Sequence, residues 1–80
     1  MTLLNIFVDN LSSDVEEMDL EQLFEEYGEV ASVNVVRVKV RTFAFVAMPD
    51  KTQGLKAINE LDGRDFMGLD LKVSEARTEE

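Results

Sequence analysis

Residues 41–48 read Arg41-Thr42-Phe43-Ala44-Phe45-Val46-Ala47-Met48 (RTFAFVAM), and their alternation decides the fold. Side chains point to opposite faces of a strand with a period of two. Thr42, Ala44, Val46 and Met48 therefore share one face, and Arg41, Phe43, Phe45 and Ala47 share the other. The small and aliphatic set suits packing beneath helices. That leaves two phenylalanines and a cation on a face the helices do not cover. Leu4-Asn5-Ile6-Phe7-Val8 repeats the pattern: Leu4, Ile6 and Val8 form a core set, and Phe7 faces away from it.

The other elements extend outward from these two strands. After the first strand, Ser12-Ser13-Asp14 offers helix caps, with Ser13 and Glu16, or Asp14 and Glu17, spaced as a capping box. Leu20, Leu23, Phe24 and Tyr27 follow at helical spacing, and Gly28 is placed to end that helix. Val30 to Val40 is valine-rich and reads as a second strand, while Thr42 to Met48 is the third. The turn between them carries no signal, because VRVKVR (36–41) contains no Gly, Pro, Asn or Asp. Pro49-Asp50 breaks the third strand, and Asp50 with Gln53 caps a second helix packed through Gly54, Ala57, Ile58 and Leu61. Asp62-Gly63 marks a turn, and Leu69 to Ser74 forms the last strand. The expected fold class is α+β: a ferredoxin-like βαββαβ sandwich with a four-stranded antiparallel sheet and two helices on one face. It occupies residues 1–80 as a single domain. Two helices cover one face of such a sheet, so the other stays open. There Phe7, Phe43 and Phe45 meet, because the first and third strands are neighbours. An exposed aromatic cluster marks a binding surface, unless a dimer partner or a terminal tail covers it.

Charge alone argues against a phosphate-bearing ligand, since the 80 residues carry a net charge of −9. Its distribution argues otherwise. Eight acids and no base lie between Asp14 and Glu29, whereas Arg37, Lys39 and Arg41 lie between Val30 and Met48 with no acid. One segment holds the negative charge and another is locally positive. The hydrophobic share of 45% and charged share of 31% fit a soluble globular chain. No apolar run reaches membrane-spanning length, so no membrane partner is expected. With no Cys and no His, thiolate metal sites and the commonest acid–base group are missing. Neither a metal nor a cofactor is expected. No serine has a histidine partner and no glycine-rich phosphate loop is present, so an enzyme is not expected. The acid-rich first helix reads as a solvated face, without calcium-loop spacing. The absence of Cys fits a reducing, cytoplasmic setting.

These residues carry a family resemblance. Ile6-Phe7-Val8-Asp9-Asn10-Leu11 resembles the hexamer motif of the RNA recognition motif. RTFAFVAM resembles its octamer: basic, Gly, aromatic, Gly or Ala, aromatic, aliphatic, any, aromatic. LEQLFEEYGEV (20–30) and AINELDGRDFMGLDLKVSEAR (57–77) are similar to the family's helix regions and last strand. The resemblance spans nearly the whole chain and is nearest to small single-domain bacterial members.

It implies a partner, single-stranded RNA, with single-stranded DNA as a second nucleic-acid candidate. Phe7 and Phe45 match the rings that stack on successive bases, and Phe43 the ring that lies against sugars. Arg41 matches the cation that meets the backbone phosphate. Lys72 and Ser74 match base-contacting positions on the last strand, and Arg77 lies where the following chain crosses the RNA. Asn5 and Asp9 share the parity of Phe7. Arg37 and Lys39 complete the local cations on or beside this face. A base stacks on an aromatic ring whatever its identity, and single strands leave bases free to do so.

Four departures stand out. Thr42 replaces the octamer's glycine and Met48 its last aromatic, both core-facing. Leu69 stands where arginine is common. Asp9 sets a carboxylate on the binding face, where it accepts from a base amino group or repels phosphate. A protein partner is the alternative. Gly63-Arg64-Asp65-Phe66 contains the Arg-x-Phe pattern with which splicing-factor homology-motif modules of this fold hold a Trp-containing peptide, beside an acidic first helix. On that reading Arg64 and Phe66 would be the peptide-binding residues. The assembly expected is a monomer or weak dimer.

Overall fold

A computed structural model describes residues 3–76. The elements run β1 (Leu4–Leu11), α1 (Glu17–Glu25), β2 (Ser32–Val38), β3 (Arg41–Met48), α2 (Lys51–Leu61), β4 (Asp65–Phe66), β5 (Leu69–Asp70) and β6 (Lys72–Glu75). The main sheet has the order β2-β3-β1-β6 and is antiparallel throughout. Both helices pack on one of its faces, giving the ferredoxin-like sandwich.

Between the layers lie Ile6, Val8, Leu20, Phe24, Ala44, Val46, Met48, Ala57 and Leu61, all with no exposed surface. Fully burying one such large side chain contributes roughly 1.5–3 kcal/mol, so this layer sets the parity of β1 and β3. Thr42 and Met48 face it, at 4% and 0% exposed. Gly54 sits where α2 crosses the sheet: a Cβ there would lie 2.3 Å from Leu4 Cδ2.

Helix α2 begins as its sequence suggests, with the Asp50 carboxylate accepting from the Gln53 N–H at 3.0 Å. Helix α1 does not. Its N-cap is Glu16, whose N–H donates to Asp19 Oδ2 at 2.9 Å. Ser12-Ser13-Asp14 forms a preceding turn instead, with the Val15 N–H donating to the Ser12 carbonyl at 3.1 Å. The reason is Val15, which is wholly buried. With Glu16 as cap, Val15 and Leu20 take the two positions of a hydrophobic staple, and an earlier start would lose that anchor. At the other end the helix stops at Glu25, and Gly28 does not adopt the left-handed conformation of a helix-ending glycine. Gly28 is small for packing: a Cβ there would lie 2.9 Å from Gln53 Cβ of α2.

The unsignalled turn between β2 and β3 also has a physical account. Val38 pairs with Arg41, which leaves Lys39-Val40 as a two-residue loop. Neither residue has a positive φ. The loop is therefore not one of the primed turns, and it needs neither Gly nor Asn. After α2, the last-strand expectation of Leu69 to Ser74 divides in two. Phe66 pairs with Leu69 across Met67 (φ 54°) and Gly68 (φ 90°), forming a separate small hairpin. Both central residues have positive φ, the mark of a type I′ turn. Lys72–Glu75 alone joins the main sheet.

Candidate nucleic-acid interface

The open face is built by register. Phe7 lies opposite Phe45 on β3 and opposite Ser74 on β6. Phe45 and Phe43 lie opposite Asn34 and Val36 of β2. The three rings form a closed triangle, with centroids 5.4 Å (Phe7–Phe45), 5.7 Å (Phe7–Phe43) and 5.9 Å (Phe43–Phe45) apart. The Phe43–Phe45 planes meet at 90°, and both pairs with Phe7 are tilted. The Phe43–Phe45 contact is the edge-to-face arrangement that aromatic quadrupoles favour, and the two contacts with Phe7 are intermediate. They hold the rings in place without covering them. Phe45 is 40% exposed, whereas Phe24 on the other side of the sheet has no exposed surface.

Polar groups surround this triangle. The Arg41 guanidinium lies 4.9 Å above the Phe43 centroid and 3.3 Å from the Asp9 carboxylate. Asp9 is opposite Lys72 in the β1–β6 register, and Ser74 is opposite Phe7, so β6 presents Lys72 and Ser74 beside the rings, both exposed. Asn5 sits opposite Ala47 at the far end, and its carbonyl accepts the Ala76 N–H at 2.7 Å. Lys39 lies in the exposed β2–β3 turn. Arg77 lies outside the described residues.

One expected member is on the wrong side. Arg37 pairs with Thr42, a core-facing residue, so it points toward the helices. Its Nε donates to the Ser13 carbonyl at 3.1 Å and its Nη2 to the Val15 carbonyl. Those carbonyls precede α1 and belong to the turn that Val15 anchors. Arg37 clamps the β1–α1 connection rather than meeting a ligand on the open sheet. The open face of β2 instead presents Asn34, Val36 and Val38, with Val38 48% exposed. Sequence reading missed this apolar extension of the aromatic patch. The signal was there in the repeated valines, but valines occupy both faces of β2.

The peptide-binding candidates lie elsewhere. Phe66 is half-buried, packs on the core and lines a hollow of about 230 Å³ with Leu23, Asp19, Gln22 and Glu26. Arg64 is exposed, and its carbonyl accepts the Leu71 N–H at 2.8 Å. This corner belongs to the helical layer, away from the three rings. Among the described residues, no group of Asp, Glu, His or Cys could hold a metal ion, and no helix is long and apolar enough to cross a membrane.

Comparisons with known proteins agree with this geometry. Residues 6–72 match the RNA recognition motif family. RbpA of Synechocystis sp., a protein named for RNA binding, is 41% identical over 96% of this chain and 80% of its own length. The crystal structure of RNA Binding Protein PG1 superposes with a TM-score of 0.87 at 38% identity, covering 96% of this chain and 98% of that one. The RNA recognition domains 1 and 2 of Sex-lethal from Drosophila melanogaster give a TM-score of 0.85 at 28% identity, over 94% of this chain and 50% of theirs.

Proposed function

The chain belongs to the RNA recognition motif family, and from that premise we propose that residues 1–80 act as one domain that binds single-stranded RNA on the open face of its sheet. The observation that carries the reading is the triangle of Phe7, Phe43 and Phe45, the first two half-buried and Phe45 exposed, with centroids 5.4–5.9 Å apart on a face no helix covers. Two rings one strand apart present faces on which successive bases stack, each worth roughly 1–3 kcal/mol. Phe43 and the Arg41 guanidinium serve the sugar and phosphate between them. Lys72, Ser74 and Asn5 offer polar contacts to base edges, and Lys39 meets the backbone from the β2–β3 turn. Single-stranded DNA exposes the same stacking faces and differs by the 2′-OH. The proposed role is recognition without catalysis, in a cytoplasmic setting.

The local cations explain how a chain of net charge −9 accepts a polyanion. Eight of its acids lie within residues 14–29, in and beside α1, which packs on the opposite side of the sheet from the rings. At physiological ionic strength the Debye length is about 8 Å, so the open face responds chiefly to its own charges. Stacking therefore supplies most of the affinity, and the proposed binding tolerates varied sequences.

The test is titration with a short mixed-sequence single-stranded RNA, followed residue by residue by NMR. Shifts centred on Phe7, Phe43, Phe45 and Ser74 support the proposal. A null response to RNA, with a Trp-containing peptide shifting Arg64, Phe66 and Leu23, would replace it with peptide binding at the helical corner.

A further inference from the structure

The Asp9 carboxylate sits among the groups proposed to receive RNA, and both its oxygens are engaged. Oδ1 accepts the Asn10 N–H at 2.8 Å, and Oδ2 lies 3.3 Å from Arg41 Nη2. Asn10 has a φ of 62° and falls within the register shift of β1 between Val8 and Leu11. It is tied in turn to the Asp70 carbonyl through its Nδ2 at 2.7 Å. The irregularity in β1 thus fixes where the carboxylate points. Arg41 is held twice, by the charge of Asp9 and by the ring of Phe43 beneath it. The Arg41 and Asp9 side chains remain 50% and 27% exposed, and an ion pair this open to water is weak enough for another anion to displace.

We propose that Asp9 is a built-in stand-in for phosphate: in the free protein it occupies Arg41, and RNA binding exchanges the carboxylate for a backbone phosphate. This inference rests on the RNA-binding reading of the open face and adds a selectivity device to it. The displaced carboxylate is not stranded, because Lys72 lies opposite it on β6. A ligand that offers only negative charge gains little, since one anion merely replaces another on Arg41. A ligand that also stacks bases on Phe7 and Phe45 gains the stacking besides. The device therefore filters out polyanions without free bases, such as inorganic polyphosphate, which an ordinary basic face would attract.

Asp9→Asn tests it, because Asn keeps an Oδ1 acceptor for the Asn10 N–H while removing the charge. Asp9→Ser supplies the same test with a shorter acceptor. Thermal melts of both variants check the fold. Four proteins are titrated with one short single-stranded RNA across a salt series: wild type, Asp9→Asn, Arg41→Gln and the double variant. The expected result is that Asp9→Asn binds about two- to fivefold tighter, the range an exposed ion pair supplies. Its slope of log K against log salt should stay within about 0.7 of the wild-type value, because Arg41 meets one phosphate in both proteins and only the competing carboxylate is lost. Arg41→Gln should cost more affinity in the Asp9→Asn background than in wild type, and polyphosphate should compete better for Asp9→Asn than for wild type. Weaker binding by Asp9→Asn, or a larger Arg41→Gln cost in wild type, would overturn the inference. Asp9 would then be holding Arg41 in place for the RNA or reading a base itself. If wild type and Asp9→Asn both fail to bind RNA at low salt, the RNA-binding reading fails, and this inference fails with it.

Discussion

Replacing Phe45 with alanine separates a ring that binds from a ring that folds. Phe45 is 40% exposed, stands outside the core cluster, and touches Phe7 and Phe43 at centroid distances of 5.4 and 5.9 Å. Losing those two ring pairs costs about 0.5–1.5 kcal/mol each. No enclosed cavity forms, because one face of the ring already meets solvent. The expected destabilisation is about 1–3 kcal/mol, against a total near 4–12 kcal/mol for a chain of this size. At about 4–8 °C of melting temperature per kcal/mol, the domain stays folded at room temperature. Phe24→Ala, on the opposite side of the sheet, creates a true cavity and should cost about 3–5 kcal/mol. For binding the order reverses. Phe45→Ala should lose roughly 1–3 kcal/mol of stacking, some 5- to 150-fold in Kd. The assay is fluorescence anisotropy with a labelled eight-nucleotide RNA, beside circular-dichroism melts of Phe45→Ala, Phe7→Ala and Phe24→Ala. A folded Phe45→Ala with a Kd within twofold of wild type would refute the stacking argument. A melting shift as large as that of Phe24→Ala would refute the assignment of Phe45 to the open face.

Arg37→Ala should lower stability by about 1–3 kcal/mol, because the Ser13 and Val15 carbonyls lose a charged donor, while RNA affinity stays within twofold; urea melts and the same titration check both halves, and a large affinity loss in a stable variant would put Arg37 back at the RNA. For the wild-type salt dependence, Arg41, Lys72 and Lys39 can neutralise two or three phosphates. At about 0.7 counterions each, the slope of log K against log salt should be roughly −1.4 to −2.1, and a slope steeper than about −5 would mean that phosphate contacts outweigh stacking.

The order of elements and the open aromatic face were legible before any fold was built, because both rest on local periodicity. In β1 and β3 one parity class is aliphatic or small and the other carries the rings, so burial could satisfy only one arrangement. Asp50 as the cap of α2 was equally local: it depends on a carboxylate three residues before a backbone N–H. The cap of α1 was not. Ser13, Asp14 and Glu16 all have capping chemistry, and only the burial of Val15 against the core selects among them.

Arg37 marks where local reading ends. Valines occupy both faces of β2, so its sequence pattern leaves the parity free, and pairing with β3 settles it by placing Val36 opposite Phe43 and Arg37 opposite Thr42. The small hairpin of β4 and β5 escaped for a related reason: its turn puts Met67 in the left-handed region, where methionine gives no signal. Alternation along the strands already places Asp9 and Arg41 on one face with the phenylalanines, since period two fixes sidedness. That the two side chains meet depends on the assembled sheet. Their contact crosses from β1 to β3 beside an irregularity in the β1 register, and how far a bulge turns a side chain depends on the partner strands that hold it.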